Sequence, residues 1–398
     1  MITAHRTPRH LAWLALVAAA CAPPAARGEK PAAPLRTYPT PRYVIRTDIT
    51  DEDVIREAAI RMTTMAAEYD RRTRNFGRRV RKRLPFYLFA GQSAYRDAGG
   101  VKGSAGLFNG RALLAVADVR SVRTGRLWHT VQHEAWHQYV FTVAGPRVPI
   151  WANEGMAEYF GHAIWTGDGY VTGVAPPPKL ARLKKLIRAD KLLEFTKMLS
   201  ITPTEWRQGL NQRNYLQAWA MVHFLAHAED GKYRDAFGAY IAHITDRRMP
   251  WRKAYVRSIG GHPRQFRAEF DKWWLAREPD DTGHLYIRAT VATLTSFLGR
   301  AILAGQSFET AEEFFAAAEA GELEHPEGQW LPPSLLQDVL PLGGKLSTWR
   351  LTVPPARIKL VLQRDDGTTF SGTYTARRGK VRDVDVTVTR DASRREPR

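Results

Sequence analysis

The sequence is poor in cysteine, in acid relative to base, and in long apolar runs. Cys21 is the only cysteine in 398 residues, so no disulfide forms within the chain and packing must hold the fold. No stretch reaches the roughly eighteen uninterrupted apolar residues of a membrane-spanning helix. A Gly-rich phosphate loop and a repeat of fixed period are also missing, which removes P-loop nucleotide chemistry and solenoid architectures. Against 59 Lys and Arg stand only 40 Asp and Glu, a formal charge of +19 that favours anionic partners or surfaces. The densest basic run, RRTRNFGRRVRKR at 71–83, holds eight cations and no acid. It carries no helix-turn-helix, zinc-finger or RNA-recognition pattern. It reads as a solvated helix face, and no nucleic-acid partner is expected.

What is present is enough to bury a large core. The chain is 44% hydrophobic, with 12 Trp, 14 Tyr and 16 Phe, a profile far from disorder and long enough for two or three domains. Basic residues followed by LAWLALVAAACA at 11–22 read as an export signal over residues 1–22. The run ends at Cys21, as bacterial lipoprotein signals do, although Ala18 stands where those carry Leu. Ala20-Cys21-Ala22 equally fits a small-residue cleavage site. Either way an exported protein is expected, periplasmic or associated with the cell envelope, tethered through Cys21 in the first case. Pro/Ala-rich residues 23–41 read as a linker.

Folding is expected to begin near Tyr43. YVIRTD (43–48) and LPFYLFA (84–90) read as strands flanking a helix that carries Ile55, Ala58, Met62 and Met65 inward. Asn109-Gly110 marks a hairpin inside GLFNGRALLAV. Helical periodicity follows at about 121–143, 153–165, 179–199, 214–229, 232–245 and 263–276. PDDTGH at 279–284 marks a boundary, beyond which helices at 285–304 and 308–320 precede four alternating segments with an Asp366-Gly367 turn. The expected class is α+β: a small mixed sheet and a helical domain over 42–280, then a helix and antiparallel-sheet region over 285–398.

Chemistry concentrates in His133-Glu134-Ala135-Trp136-His137. Residues four apart lie on one helix face a turn apart, so two imidazoles so spaced can grip one metal ion from the same side. Glu134 then faces the open coordination position, where a carboxylate can take a proton from activated water. Zinc in such a site needs a third protein ligand, and WANEGMAEYFGH supplies Glu154 and Glu158, themselves four apart. One of them can bind the ion while the other accepts a hydrogen bond from the far nitrogen of a ligand histidine. His129 and His162 stand close enough in sequence to approach the same region and are assigned to the surroundings of the metal or to the core.

These residues resemble the gluzincin class of zinc metallopeptidases, closest to the exported peptidase MA-like domains of bacteria. That class shares HExxH followed by a Trp/Leu-x-x-Glu-Gly-x-Ala-x-Tyr segment, here Trp151-Ala-Asn-Glu154-Gly155-Met-Ala157-Glu158-Tyr159. The resemblance implies His133, His137 and Glu154 as zinc ligands, Glu134 as general base, and Glu158 as the carboxylate behind a ligand histidine. Tyr215-Leu-Gln-Ala-Trp219 is similar to the helix start that brings a tyrosine over the substrate carbonyl, which implies Tyr215 as oxyanion donor, with His223 and His227 as weaker candidates. Residues 106–116 resemble the edge strand along which such enzymes lay an extended peptide. The metzincin pattern fails, because it requires Gly and His where this chain has Val140 and Val143. The resemblance covers about 43–276 and does not reach the C-terminal region.

The expectation is therefore an exported zinc-dependent peptidase acting on peptide or protein substrates. A catalytically silent envelope protein that binds anionic polymer or membrane through its basic surface is the alternative, and hydrolysis of a non-peptide amide or ester by the same centre is a third reading.

Overall fold

Strands and helices alternate through the first third of the chain, where the burial pattern switches between periods of two and of about 3.6. The computed structural model describes residues 34–76, 79–117, 126–209, 212–344, 346, 348–353 and 358–390. The expected signal segment and Cys21 lie outside the described residues. A five-stranded mixed sheet of order β1-β2-β3-β5-β4 is built from β1 (Arg36–Pro39), β2 (Tyr43–Thr47), β3 (Leu84–Phe89), β4 (Gly106–Phe108) and β5 (Leu113–Val116). The three central strands are parallel and both edges antiparallel. Parallel neighbours need a crossover, and α1 (Glu52–Arg72) provides it between β2 and β3. Asp51 caps α1 by accepting from the amides of Asp53 and Val54, and the stripe Ile55, Ala58, Met62, Met65 and Tyr69 is buried. The short α2 (Gln92–Asp97) follows β3, and the Asn109-Gly110 turn joins β4 to β5 as expected.

Residues 36–39 correct the linker reading of 23–41. They pair with β2 from Arg36 opposite Thr47 to Pro39 opposite Val44. A four-residue edge strand is too short to show alternation, and a proline at its end is tolerated because it lies at the rim of the sheet.

The helical portion comprises α3 (Arg126–Ala144), α4 (Ile150–Gly161), α5 (Pro177–Arg188), α6 (Phe195–Ser200), α7 (Pro203–Gln208), α8 (Gln212–His227), α9 (Arg234–Thr245), α10 (Trp251–Ser258) and α11 (Pro263–Ala276). The two-stranded hairpin β6 (Ile164–Trp165) and β7 (Tyr170–Val171) lies between α4 and α5. Two expected helices are shorter than their periodicity. The one over 153–165 stops at Gly161 and passes into β6, and the one over 179–199 breaks at Asp190, whose φ of 47° no helix accommodates. One continuous core joins sheet and helices, with Phe86, Trp136, Trp151, Phe160, Trp219, Phe224 and Trp274 all but inaccessible.

The C-terminal region holds α12 (Pro279–Leu303), α13 (Ala311–Ala320), α14 (Pro333–Gly343) and an antiparallel sheet of order β11-β10-β9-β8, from β8 (Thr348–Thr352), β9 (Lys359–Gln363), β10 (Thr368–Arg377) and β11 (Lys380–Arg390). PDDTGH, read as a boundary ahead of a helix at 285, is itself the opening of α12, because a proline fits the first helical turn, where its missing N–H has no partner to lose. This region is fastened to the β6–β7 hairpin. Arg300 makes two 2.7 Å contacts with the Asp168 carboxylate and donates to the Gln329 carbonyl at 2.8 Å, while Ser296 donates to the Thr166 carbonyl at 3.0 Å. No helix among the described residues is long and apolar enough to cross a membrane.

The helix that carries Glu154 is set by its approach to α8. A Cβ on Gly155 would fall 2.4 Å from the Ala218 carbonyl oxygen and 2.7 Å from Val222 Cγ2, so only glycine allows the two helices to meet at this depth. Gly155→Ala should therefore force them apart and cost about 1–3 kcal/mol of stability in chemical denaturation. An unchanged midpoint would mean that the helices do not touch there.

Candidate metal centre

Helix α3 turns Ala135, Trp136, Tyr139 and Val140 into the core, which leaves His133, Glu134 and His137 on the side facing α4 and the edge strand β4. Trp136 Nε1 donates to the Asn153 carbonyl at 3.0 Å and so ties the two helices together beside the histidines. Glu154, on the second turn of α4, reaches between them. The Nε2 atoms of His133 and His137 are 3.2 Å apart, and each is 3.6 Å from Glu154 Oε2. Ligands held at 2.0–2.2 Å around a tetrahedral ion stand about 3.3–3.6 Å from one another. The triangle has that size.

The chemistry of the three groups also fits a cation. Glu154 is 3% exposed and its Oε2 has no hydrogen-bond partner, a costly state for a buried carboxylate oxygen unless a positive charge is placed beside it. In the metal-free protein that charge is a proton. Burial alone would lower His137, but the adjoining Glu154 carboxylate pushes it up to about 9. Burial would raise Glu154, but His137 and His133 hold it down to about 2. A divalent ion bound by His133, His137 and Glu154 would take the place of this shared proton.

Each histidine is oriented from behind. His137 Nδ1 lies 3.0 Å from Asn153 Oδ1, an oxygen that also accepts from Trp136 Nε1 at 3.1 Å. Nδ1 therefore carries hydrogen, and Nε2 is the atom turned into the centre, free to bind an ion once its proton leaves. His133 Nδ1 faces Glu158 Oε1 at 3.6 Å. Glu158 in turn accepts from Lys179 Nζ at 2.6 Å. Burial would raise this carboxyl, yet the Lys179 ammonium and the neighbouring histidines hold it well below the usual range. His129 and His162 gather on the Glu158 side, with their rings 4.8 Å apart. Both stay neutral, His129 pushed down to about 4 by burial and His162 well below its ordinary value by burial and by Lys179.

Glu134 is also buried, and its Oε2 accepts the Phe108 amide of β4 at 2.9 Å, which leaves Oε1 for other work. Tyr215, near the start of α8, packs edge-on against Trp206 at 5.0 Å. Burial, together with the charges of Glu154, Glu158 and Glu134, raises its phenol well above the ordinary value, so the hydroxyl remains a donor in the field of all three carboxylates. His223 and His227 are committed elsewhere. His223 Nε2 donates to the Gly173 carbonyl at 2.9 Å, and His227 Nε2 pairs with the Tyr159 hydroxyl at 2.8 Å. Asn153, the Phe108 amide and Lys179 are parts of the site that sequence reading missed. Asn153 adjoins Glu154 and could have been found there, whereas a backbone amide and a lysine from another helix leave no local signal.

Because His137 keeps its proton up to about pH 9, an entering ion must displace it. Divalent-ion affinity should rise about tenfold per pH unit from neutrality to about pH 9 and then level off, with about one proton released per ion. Chelator competition and calorimetry in buffers of different ionisation enthalpy measure both quantities, and a pH-independent affinity would place the ion elsewhere. Residues 128–251 match a family described as "Protein of unknown function (DUF1570)", a span that contains His133, Glu134, His137, Asn153, Glu154, Glu158, Lys179 and Tyr215. No curated protein matches the sequence.

Proposed function

We propose that this protein is a zinc-dependent peptidase of the gluzincin type, exported to the cell envelope as its N-terminal sequence implies. One observation carries the reading: His133 Nε2, His137 Nε2 and Glu154 Oε2 converge to within 3.6 Å of one another, with the Glu134 carboxylate on the same helix beside them. His133, His137 and Glu154 would hold the ion. Bound there, zinc supplies Lewis acidity toward a carbonyl oxygen and makes water a stronger acid.

The remaining work falls to the chain. Glu134, pinned through Oε2 by the Phe108 amide, takes a proton from the attacking water and returns it to the departing amine nitrogen. Tyr215 donates its hydroxyl hydrogen to the oxyanion that forms at the scissile carbon. Edge strand β4 lies against α3 and offers backbone groups to an extended peptide. The Glu134–Phe108 contact favours this reading over a silent envelope protein, because such a protein has no chemical use for a carboxylate positioned in this way.

Glu134→Gln should lower hydrolysis of a peptide mixture by about 10²–10⁴-fold with metal content unchanged. Tyr215→Phe should lower kcat by about 10²–10³-fold with little change in KM. Turnover that survives Glu134→Gln intact would overturn the assignment.

A further inference from the structure

Glu158 and its neighbours form a second donor set beside the first. One ligand-type atom from each of His129, Glu158 and His162 lies within 4.8 Å of the others. Two imidazoles and a carboxylate around one point are the donor set of a divalent transition-metal site. Glu158 belongs to both neighbourhoods, since its other oxygen, Oε1, faces His133 Nδ1 at 3.6 Å.

The Lys179 ammonium contacts two of these three donors. Its Nζ is 2.6 Å from Glu158 Oε2 and 2.8 Å from His162 Nε2. An ammonium has only hydrogens to give. His162 Nε2 must therefore accept, and it spends on lysine the lone pair that a metal ion would need. The lysine is held in place from several sides. It lies in the first turn of α5, directly after three consecutive prolines, its side chain is 17% exposed, and Nζ sits 4.6 Å over the Trp219 ring. Glu158 thus receives its neutralising charge from the chain itself.

We infer that the Lys179 ammonium is a built-in cation occupying the position of a second divalent metal ion, and that it keeps the centre mononuclear. The inference rests on the reading of His133, His137 and Glu154 as a metal site only for the number of ions from which counting starts. Removing the ammonium should free His162 Nε2 and Glu158 Oε2 and open a site for one more ion.

The test counts zinc ions bound per chain by native mass spectrometry at saturating zinc, on full-length protein whose fold is checked by circular dichroism. Wild type and Lys179→Arg should bind one ion, Lys179→Ala two, and Lys179→Ala combined with His162→Ala one again. Lys179→Met, which retains packing against Trp219, is counted alongside in case the alanine variant does not fold. A gain of one ion on removal of the ammonium, lost again with His162, supports the proposal, because a merely structural lysine would lower metal binding rather than add to it. No gain in the folded variants overturns it. A wild type that binds no ion, with one gained on substitution, would overturn the peptidase reading and leave standing only that the ammonium holds the place of an ion.

Discussion

A carboxylate that stays ionised out of water needs a positive charge or hydrogen bonds beside it, and helix α4 takes two of them inside. Glu154 and Glu158 stand one turn apart, the first 3% exposed and the second largely covered. Stranding an ion in the interior costs several kcal/mol, more than a typical packing contact returns, so the supply of cations decides whether this helix can sit where it does. Glu154 meets two imidazoles and a shared proton or ion, and Glu158 meets Lys179. The close contact of α4 with α8 at Gly155 fixes the depth at which the helix that carries both carboxylates sits.

The side chains that surround the centre come from different parts of the fold. His133 and His137 are set by the turn of α3, Glu154 and Asn153 by α4, the Glu134 carboxylate by an amide of β4, and Tyr215 by the start of α8. No single element could place them, and each sits on a helix or a strand rather than on an exposed loop. Trp136 joins the core to the site, since its ring packs on Tyr69, Tyr139 and Phe160 while its indole N–H fixes Asn153. Positions held by rigid elements preserve a metal-sized triangle without requiring the ion to assemble it.

Much of this is legible in the sequence itself. Two histidines four apart on an apolar helix share a face whatever the fold, so His133, Glu134 and His137 could be picked out directly, and the Glu154–Glu158 pair offered the missing acid. The strands around Tyr43 and Phe86, the Asn109-Gly110 hairpin and the C-terminal meander were legible through alternation and turn chemistry. Features without local periodicity were not. Edge strand β1 is four residues long, the break at Asp190 falls inside a helical periodicity, and α12 begins in a proline-acid cluster that reads as a boundary. Lys179 is the clearest case. A lysine after prolines reads as a solvated helix start, and only the return of α5 past α4 makes it a buried counter-charge. His129 and His162, set aside as core or neighbours of the metal, gather on Glu158 for the same tertiary reason.

The clasp between Arg300 and Asp168 bears on where this protein can be divided. The family match ends at residue 251, yet Asp168 inside it is neutralised by an arginine about fifty residues beyond, and the aromatic wall behind α8 is completed by Phe266, Phe270 and Trp274. On the other side, Tyr69 and Phe86 lie upstream of the matched span and fill the underside of α3. Excising 128–251 would strip an acid of its counter-ion and open the core at both ends. The autonomous unit is larger than the matched segment, and gene fragments meant to yield folded protein should run from the first strand through the C-terminal sheet, whose Leu362, Phe370 and Val386 cover α12.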